Sequence, residues 1–240
     1  MKKTKIYLLT AVCCILASCA STNEVVETQP LPEMYAAAYE KSNDKDYAGA
    51  ATAFLDIETA YPASEWAANA LIMAAYSQYQ GDDFASALTT IDRFMRFHPG
   101  HKNADYILYL KGMCFYRQVS DVRREPGMSS YALDAFGQLT KRFPESKYSK
   151  NAKNKIVILK NYIAGKIMYS ARRDMIKQNY PAAITNLQKL LLTLQETQMT
   201  PEALFRLTES YTAIGLPQQA SGYAKMLKKN YPDNEWSKKL

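Results

Sequence analysis

From residue 34 onward the apolar positions recur in five copies of one pattern, each anchored on an alanine: Ala50, Ala87, Ala132, Ala183 and Ala220. Four residues later stand Phe54, Ile91, Phe136, Leu187 and Ala224, and seven later Ile57, Phe94, Leu139, Leu190 and Leu227. Those spacings place the side chains on one helical face. Twelve residues after the alanine comes Pro62, Pro99, Pro144 or Pro232, with Gln195 in the fourth copy, and a proline there stops the helix. This is the second half of a tetratricopeptide repeat, in which a small residue lets two helices approach. The last copy keeps the whole frame, with Leu204, Leu207 and Tyr211 at first-helix positions and Gly215 with Pro217 in the turn. The expected fold is all-α, a right-handed solenoid of five tetratricopeptide-like helix pairs over residues 34–240.

Three of the prolines open a second signature: Pro62-Ala63-Ser64-Glu65-Trp66, Pro144-Glu145-Ser146-Lys147-Tyr148 and Pro232-Asp233-Asn234-Glu235-Trp236. Proline followed by Ser or Asn starts a helix whose free amides the polar side chain caps. The aromatic then packs on the next turn, so Trp66 and Trp236 are expected in the core. The alanines are spaced by 37, 45, 51 and 37 residues, so two units carry extra chain. The first excess falls around Arg117 to Ser129, where Asp121-Val122-Arg123-Arg124-Glu125-Pro126-Gly127 is too polar and breaker-rich for a packed helix. It reads as a projecting loop between the helices of repeat three. The second excess is continuous helical periodicity from about Tyr148 to Gln178, with Ile156, Leu159, Ile163, Ile167 and Ser170 on one face. One helix there outgrows its repeat.

The start of the chain changes the compartment. Lys2, Lys3 and Lys5 precede an apolar stretch from Ile6 to Leu16, too short to span a bilayer, and then Leu16-Ala17-Ser18-Cys19. Small residues before a cysteine resemble a bacterial lipobox. The expectation is a signal peptide over 1–18, with Cys19 acylated as the first mature residue and residues 19–33 an extended tether that includes Pro30 and Pro32. Ala20 follows Cys19, and a residue other than Asp there resembles enteric lipoproteins sent to the outer membrane. Of the 4 cysteines, Cys13 and Cys14 leave with the leader and Cys19 carries lipid. Cys114 alone keeps a thiol, read as a small core residue. Loss of the leader also moves the charge from +7 to 27 basic against 23 acidic residues. So mild a balance does not demand nucleic acid.

No Gly-rich phosphate loop, HExxH, CxxC or nucleophile elbow is present. His98 and His101 have a spacing open to a metal reading, but His98 occupies the slot of Tyr61, Phe143 and Tyr231 in other copies. It reads as an aromatic substitute. Asp82, Asp83, Glu40 and Asp44 fall in turns or on polar faces and read as solvated. No enzyme activity and no cofactor are expected. Basic residues gather at Lys166, Arg172, Arg173 and Lys177, and at Lys225, Lys228, Lys229, Lys238 and Lys239. Such runs are usually solvated faces, and an acidic protein partner is the main functional alternative.

Four blocks carry a resemblance: Ile91 to Arg96 with His98-Pro99, Ala104 to Gly112, Phe143 to Tyr148, and Leu159 to Ala164 leading to Tyr180-Pro181-Ala182-Ala183. In that order they resemble the BamD family of outer-membrane assembly lipoproteins. The resemblance implies a non-enzymatic, lipid-anchored subunit of the β-barrel assembly machinery, on the outer membrane and facing the periplasm. Its implied partners are a BamA-like β-barrel insertase, other lipoproteins of the machine and nascent outer-membrane proteins. The family's C-terminal repeats dock on a periplasmic domain of the insertase, and its N-terminal repeats are associated with nascent substrates. Two departures bear on sites. The loop of repeat three is shorter than usual, although Arg124-Glu125-Pro126 resembles the family's Arg-Asp-Pro. Where the family often has an arginine in repeat four, this chain has Asn186, and Lys177, Lys189 or the nearby Arg172 and Arg173 are candidates to replace it. Arg172, Arg173, Lys177, Asn186, Lys189 and Arg124 are therefore the expected partner-binding residues. Another periplasmic tetratricopeptide adaptor, coordinating envelope growth, would share the repeats but not the four blocks. An envelope hydrolase would need a convergent polar pocket that the sequence does not display.

Overall fold

The computed structural model describes residues 30–119 and 127–240. Ten α-helices follow one another among the described residues: α1 (Leu31–Asn43), α2 (Tyr47–Ala60), α3 (Glu65–Gln80), α4 (Phe84–Phe97), α5 (Ala104–Arg117), α6 (Gly127–Arg142), α7 (Lys147–Ile176), α8 (Tyr180–Thr193), α9 (Thr200–Ala213) and α10 (Pro217–Asn230). A 3₁₀ turn, Ser237–Lys239, follows. Sequential helices pair and stack on the next pair, so the fold is the expected all-α array of five helix pairs.

The alanine register holds throughout. Ala50, Ala87, Ala132 and Ala183 are fully buried and Ala220 nearly so, each in the second helix of its pair. The residues seven positions later, Ile57, Phe94, Leu139, Leu190 and Leu227, are fully buried as well. Four positions later only Ala224, in the last described helix pair, stays half-buried. Replacing each anchoring alanine with leucine should overpack its crossing and cost roughly 1–3 kcal/mol. The smallest loss is expected at Ala220 at the end of the array, and unchanged thermal melting across all five variants would refute this packing.

Among the described residues, the turns within pairs one, two, four and five share a device that glycine does not reveal. Lys45, Asp82, Gln178 and Gly215 all adopt positive φ, at 64°, 61°, 58° and 74°, and each lies five residues before its alanine. This left-handed residue lets the next amide bond back into the preceding helix. Asp46, Asp83, Asn179 and Leu216 donate their N–H to the carbonyls of Lys41, Gln78, Asp174 and Tyr211, each at 2.9 Å. Asp46 and Asp83 then cap the second helix, accepting from the N–H of Gly49 and Ser86. Ser64 and Ser146 cap α3 and α7 as their signature predicts. Asn234 accepts from the N–H of Trp236 ahead of the 3₁₀ turn.

The long helix is 30 residues because it serves two cores. Its first half, with Ala152 and Leu159, packs with Leu108, Ala132, Phe136 and Leu139. Its second half, with Ala164, Met168 and Ala171, packs with Leu187, Leu190, Ala203 and Leu207.

Several expectations need correction. Helix α1 begins at Leu31 rather than after residue 33, because Pro32 stands in its first turn, where the missing N–H costs nothing, and Glu33 suits the helix start. Residues Gly127 to Ser129, expected in the loop, already belong to α6. Trp66 is 40% exposed and packs edge-on against Tyr35 of α1 at 5.0 Å. Trp236 is half-buried, 5.2 Å from Phe205. Cys114 is a buried free thiol, as expected, and burial pushes its pKa up to about 12.

Candidate partner-binding surfaces

Cys19 and Arg124 lie outside the described residues. The other five sequence-predicted site residues fall at the α7–α8 junction, where the short turn brings the end of α7 against α8. Asn186 donates to the Asp174 carboxylate at 3.2 Å, so an acidic group sits within the expected positive patch. Arg173, Lys177 and Lys189 are exposed.

Arg172 has a different place. Its guanidinium makes a two-point contact with Glu202 on α9, through Nε at 2.8 Å and through Nη2. Glu202 is buried and also accepts from Arg206 at 3.3 Å, while Arg206 donates to Glu209 at 2.8 Å. The Arg206 guanidinium lies 5.1 Å from the Trp236 ring, and the Lys239 ammonium 3.9 Å from it. A chain of charge and aromatic contacts thus ties α7 to α9 and the C-terminal turn. Lys160 pairs with Glu196, and Asn161 accepts from the N–H of Gln198, joining α7 to the α8–α9 connection. Arg172 therefore braces the array, and reversing its charge would set two carboxylates against each other.

Burial opposes ionisation of Glu202, but hydrogen bonds and charge from Arg172, then Arg206, outweigh it and hold its carboxyl below the ordinary value. The ionised form is favoured in the folded state, so its contribution is present above the ordinary carboxylate pKa of 4.5 and is lost as pH falls below it. A Glu202→Gln chain should lose that part of its acid sensitivity in melting curves taken across pH. Arg172→Ala should cost about 1–3 kcal/mol at neutral pH, less than breaking a fully buried pair because the arginine is 47% exposed.

The other predicted polar groups have local roles. His98 and His101 pack on Phe94, ring centroids 5.6 and 5.5 Å away, and His101 Nδ1 accepts from the Asn103 N–H. Asp82 pairs with Arg117 at 2.9 Å. Asp83 is the α4 cap.

Sequence reasoning missed a tyrosine-lined face. A cavity of about 410 Å³ opens among Tyr39, Tyr47, Met73, Tyr76 and Tyr106, drawn mainly from α1, α3 and α5, the first helices of repeats one to three. Tyr106 lies 5.3 Å from Tyr148, and Tyr148 stacks on Tyr109 at 5.2 Å. Burial first, then neighbouring tyrosines, raises the Tyr106 hydroxyl well above its usual range, so it stays a neutral donor. The signal was present in the 18 tyrosines, many at first-helix positions. Among the described residues, no helix is long and apolar enough to cross a membrane.

Comparison with known proteins places this arrangement. The YfiO model, described as outer membrane lipoprotein, matches residues 27–239. A Caulobacter vibrioides protein named outer membrane protein assembly factor BamD is 32% identical over 88% of this chain and 70% of its own. A Rickettsia prowazekii protein of the same name is 31% identical over 98% of this chain and 95% of its own. Among solved structures, MamA aligns at 13% identity and a TM-score of 0.38, covering 85% of this chain and 95% of that one. A thermophilic tetratricopeptide protein of Thermus thermophilus aligns at 18% and 0.39, covering 85% and 93%.

Proposed function

Because the chain belongs to the YfiO family of outer membrane lipoproteins, we propose that it is an outer-membrane protein assembly factor, a scaffold that binds partners by shape and charge and performs no chemistry. The observation that carries this reading is the match to relatives bearing that name, in one case over 98% of this chain and 95% of the relative. Acylated Cys19 anchors the body to the outer membrane, on its periplasmic side, through a tether that runs to the start of α1. The β-barrel insertase docks at the C-terminal repeats, with Arg173, Lys177 and Lys189 as the charged contacts and Asn186 beside them. The tyrosine-lined face of repeats one to three receives segments of nascent barrel proteins. Aromatic surface with neutral hydroxyls suits chains that are rich in aromatic residues and not yet hydrogen-bonded.

A tagged full-length chain, captured from chemically crosslinked and solubilised envelopes, tests this reading. A β-barrel insertase should be recovered with it, and recovery of cell-wall enzymes without any such insertase would place the chain among adaptors of envelope growth instead.

A further inference from the structure

The turn bonds single out one position on the first helices, nine residues before the anchoring alanine, where Lys41, Gln78, Asp174 and Tyr211 stand. Lys41 is exposed. In repeats four and five a second helix serves the side chain: Asp174 accepts from Asn186 at 3.2 Å, and the Tyr211 hydroxyl accepts from Gln188 at 2.9 Å. Gln78 has no such donor. It is 8% exposed, and its Oε1 is buried without a hydrogen-bond partner, as is Oγ of the fully buried Ser77 beside it. The reason lies on α2. Gln188 stands five residues after its alanine, and the residue at that register position on α2 is Leu55, which has nothing to donate. A buried acceptor left open is costly.

Leu55, Gln78 and Ser86 line two adjoining cavities between α2 and α4, of about 280 and 390 Å³. The first has Ser77, Thr52 and Asp83 in its wall as well, and its size suits one side chain better than a larger molecule. Its polar wall is a set of acceptors. Thr52 already donates its hydroxyl to the Ala48 carbonyl at 3.1 Å, which leaves its lone pairs. Asp83, the sole charged residue in that lining, accepts the Ser86 N–H through Oδ1 and has a second oxygen to offer. In the second cavity the charged residue is Arg93, and Glu58 already meets it at 2.7 Å.

We propose that the first of these cavities receives an arginine side chain of a partner polypeptide. A guanidinium spreads five N–H donors over a plane, so it can serve acceptors on α2, on α3 and on Asp83 together. Its methylenes would lie on Ala48, Ala51 and Leu55, and its charge would face the one charge in the lining. A lysine ammonium donates from a single point, and a peptide amide brings no charge for Asp83. Ser77 and Gln78 belong to the last turn of α3, an end that favours cations. The proposal rests on these residues alone and does not require the assembly reading.

The probe is a capped tripeptide with arginine between two glycines, added to the full chain labelled with nitrogen-15 and read by nuclear magnetic resonance at the Gln78 carboxamide and the Ser86 amide. Both signals should shift and saturate with a dissociation constant of about 1 mM. Tripeptides with citrulline, lysine or leucine in place of arginine should bind at least about tenfold more weakly. Asp83→Asn keeps an α4 cap and should bring the arginine peptide down to the citrulline level. Gln78→Leu should abolish the saturable shift at Ser86 without lowering the melting temperature, because the acceptor it deletes has no partner in the free chain. No saturable shift by about 10 mM peptide, equal binding of the lysine or leucine peptide, or binding that survives Gln78→Leu would overturn the proposal. A Gln78→Leu chain that melts lower would also overturn it, in favour of an ordered water already satisfying the carboxamide.

Discussion

Replacing Gly112 with valine is expected to lower the stability of the chain by about 3 kcal/mol, a fall of roughly 6–12 °C in melting temperature for a protein of this size. Gly112 lies inside α5, and a Cβ there would stand 2.4 Å from a ring carbon of Phe136 on α6. The ring cannot swing aside: Phe136 is fully buried and has Tyr109 and Tyr116 at 6.0 and 6.3 Å. Glycine is required by close approach rather than by turn geometry. Phe136→Leu removes the obstructing ring, so Gly112→Ala should cost less in that background than in the native chain. Additive losses in the double variant would mean that α5 and α6 are not in contact here.

Reversing Arg173 and Lys177 together to glutamate should weaken capture of the insertase by about tenfold at low salt, with the difference shrinking as salt rises, since exposed charges act chiefly on encounter. The melting temperature should stay that of the native chain. Arg172→Glu should do the converse, lowering the melting temperature because it faces Glu202. Undiminished capture by the Arg173 and Lys177 double variant at low salt would place docking elsewhere.

These two cases show what the sequence could convey. Repeat register was legible because burial of the alanine, of the residue four later and of the residue seven later leaves a periodic trace. The Gly112–Phe136 contact was not, since a helical glycine looks the same whether it faces a ring or solvent. Positive φ at Lys45, Asp82 and Gln178 was hidden because none is glycine, although the shared offset from the alanines was in the sequence all along. Arg172 was found as a basic residue, but its partner Glu202 is thirty positions away on another helix. Only packing brings them together. Trp66 was misplaced because the proline signature gives the helix start and not whether a neighbouring repeat covers it.

The most direct measurement of the central claim is controlled depletion of the chain in its own cells, followed by quantification of folded β-barrel proteins in the outer membrane by their heat-modifiable mobility. Folded barrels should fall while inner-membrane proteins hold steady, with unfolded barrel precursors found in the periplasm. Unchanged levels of every folded barrel after depletion would contradict a role in their assembly.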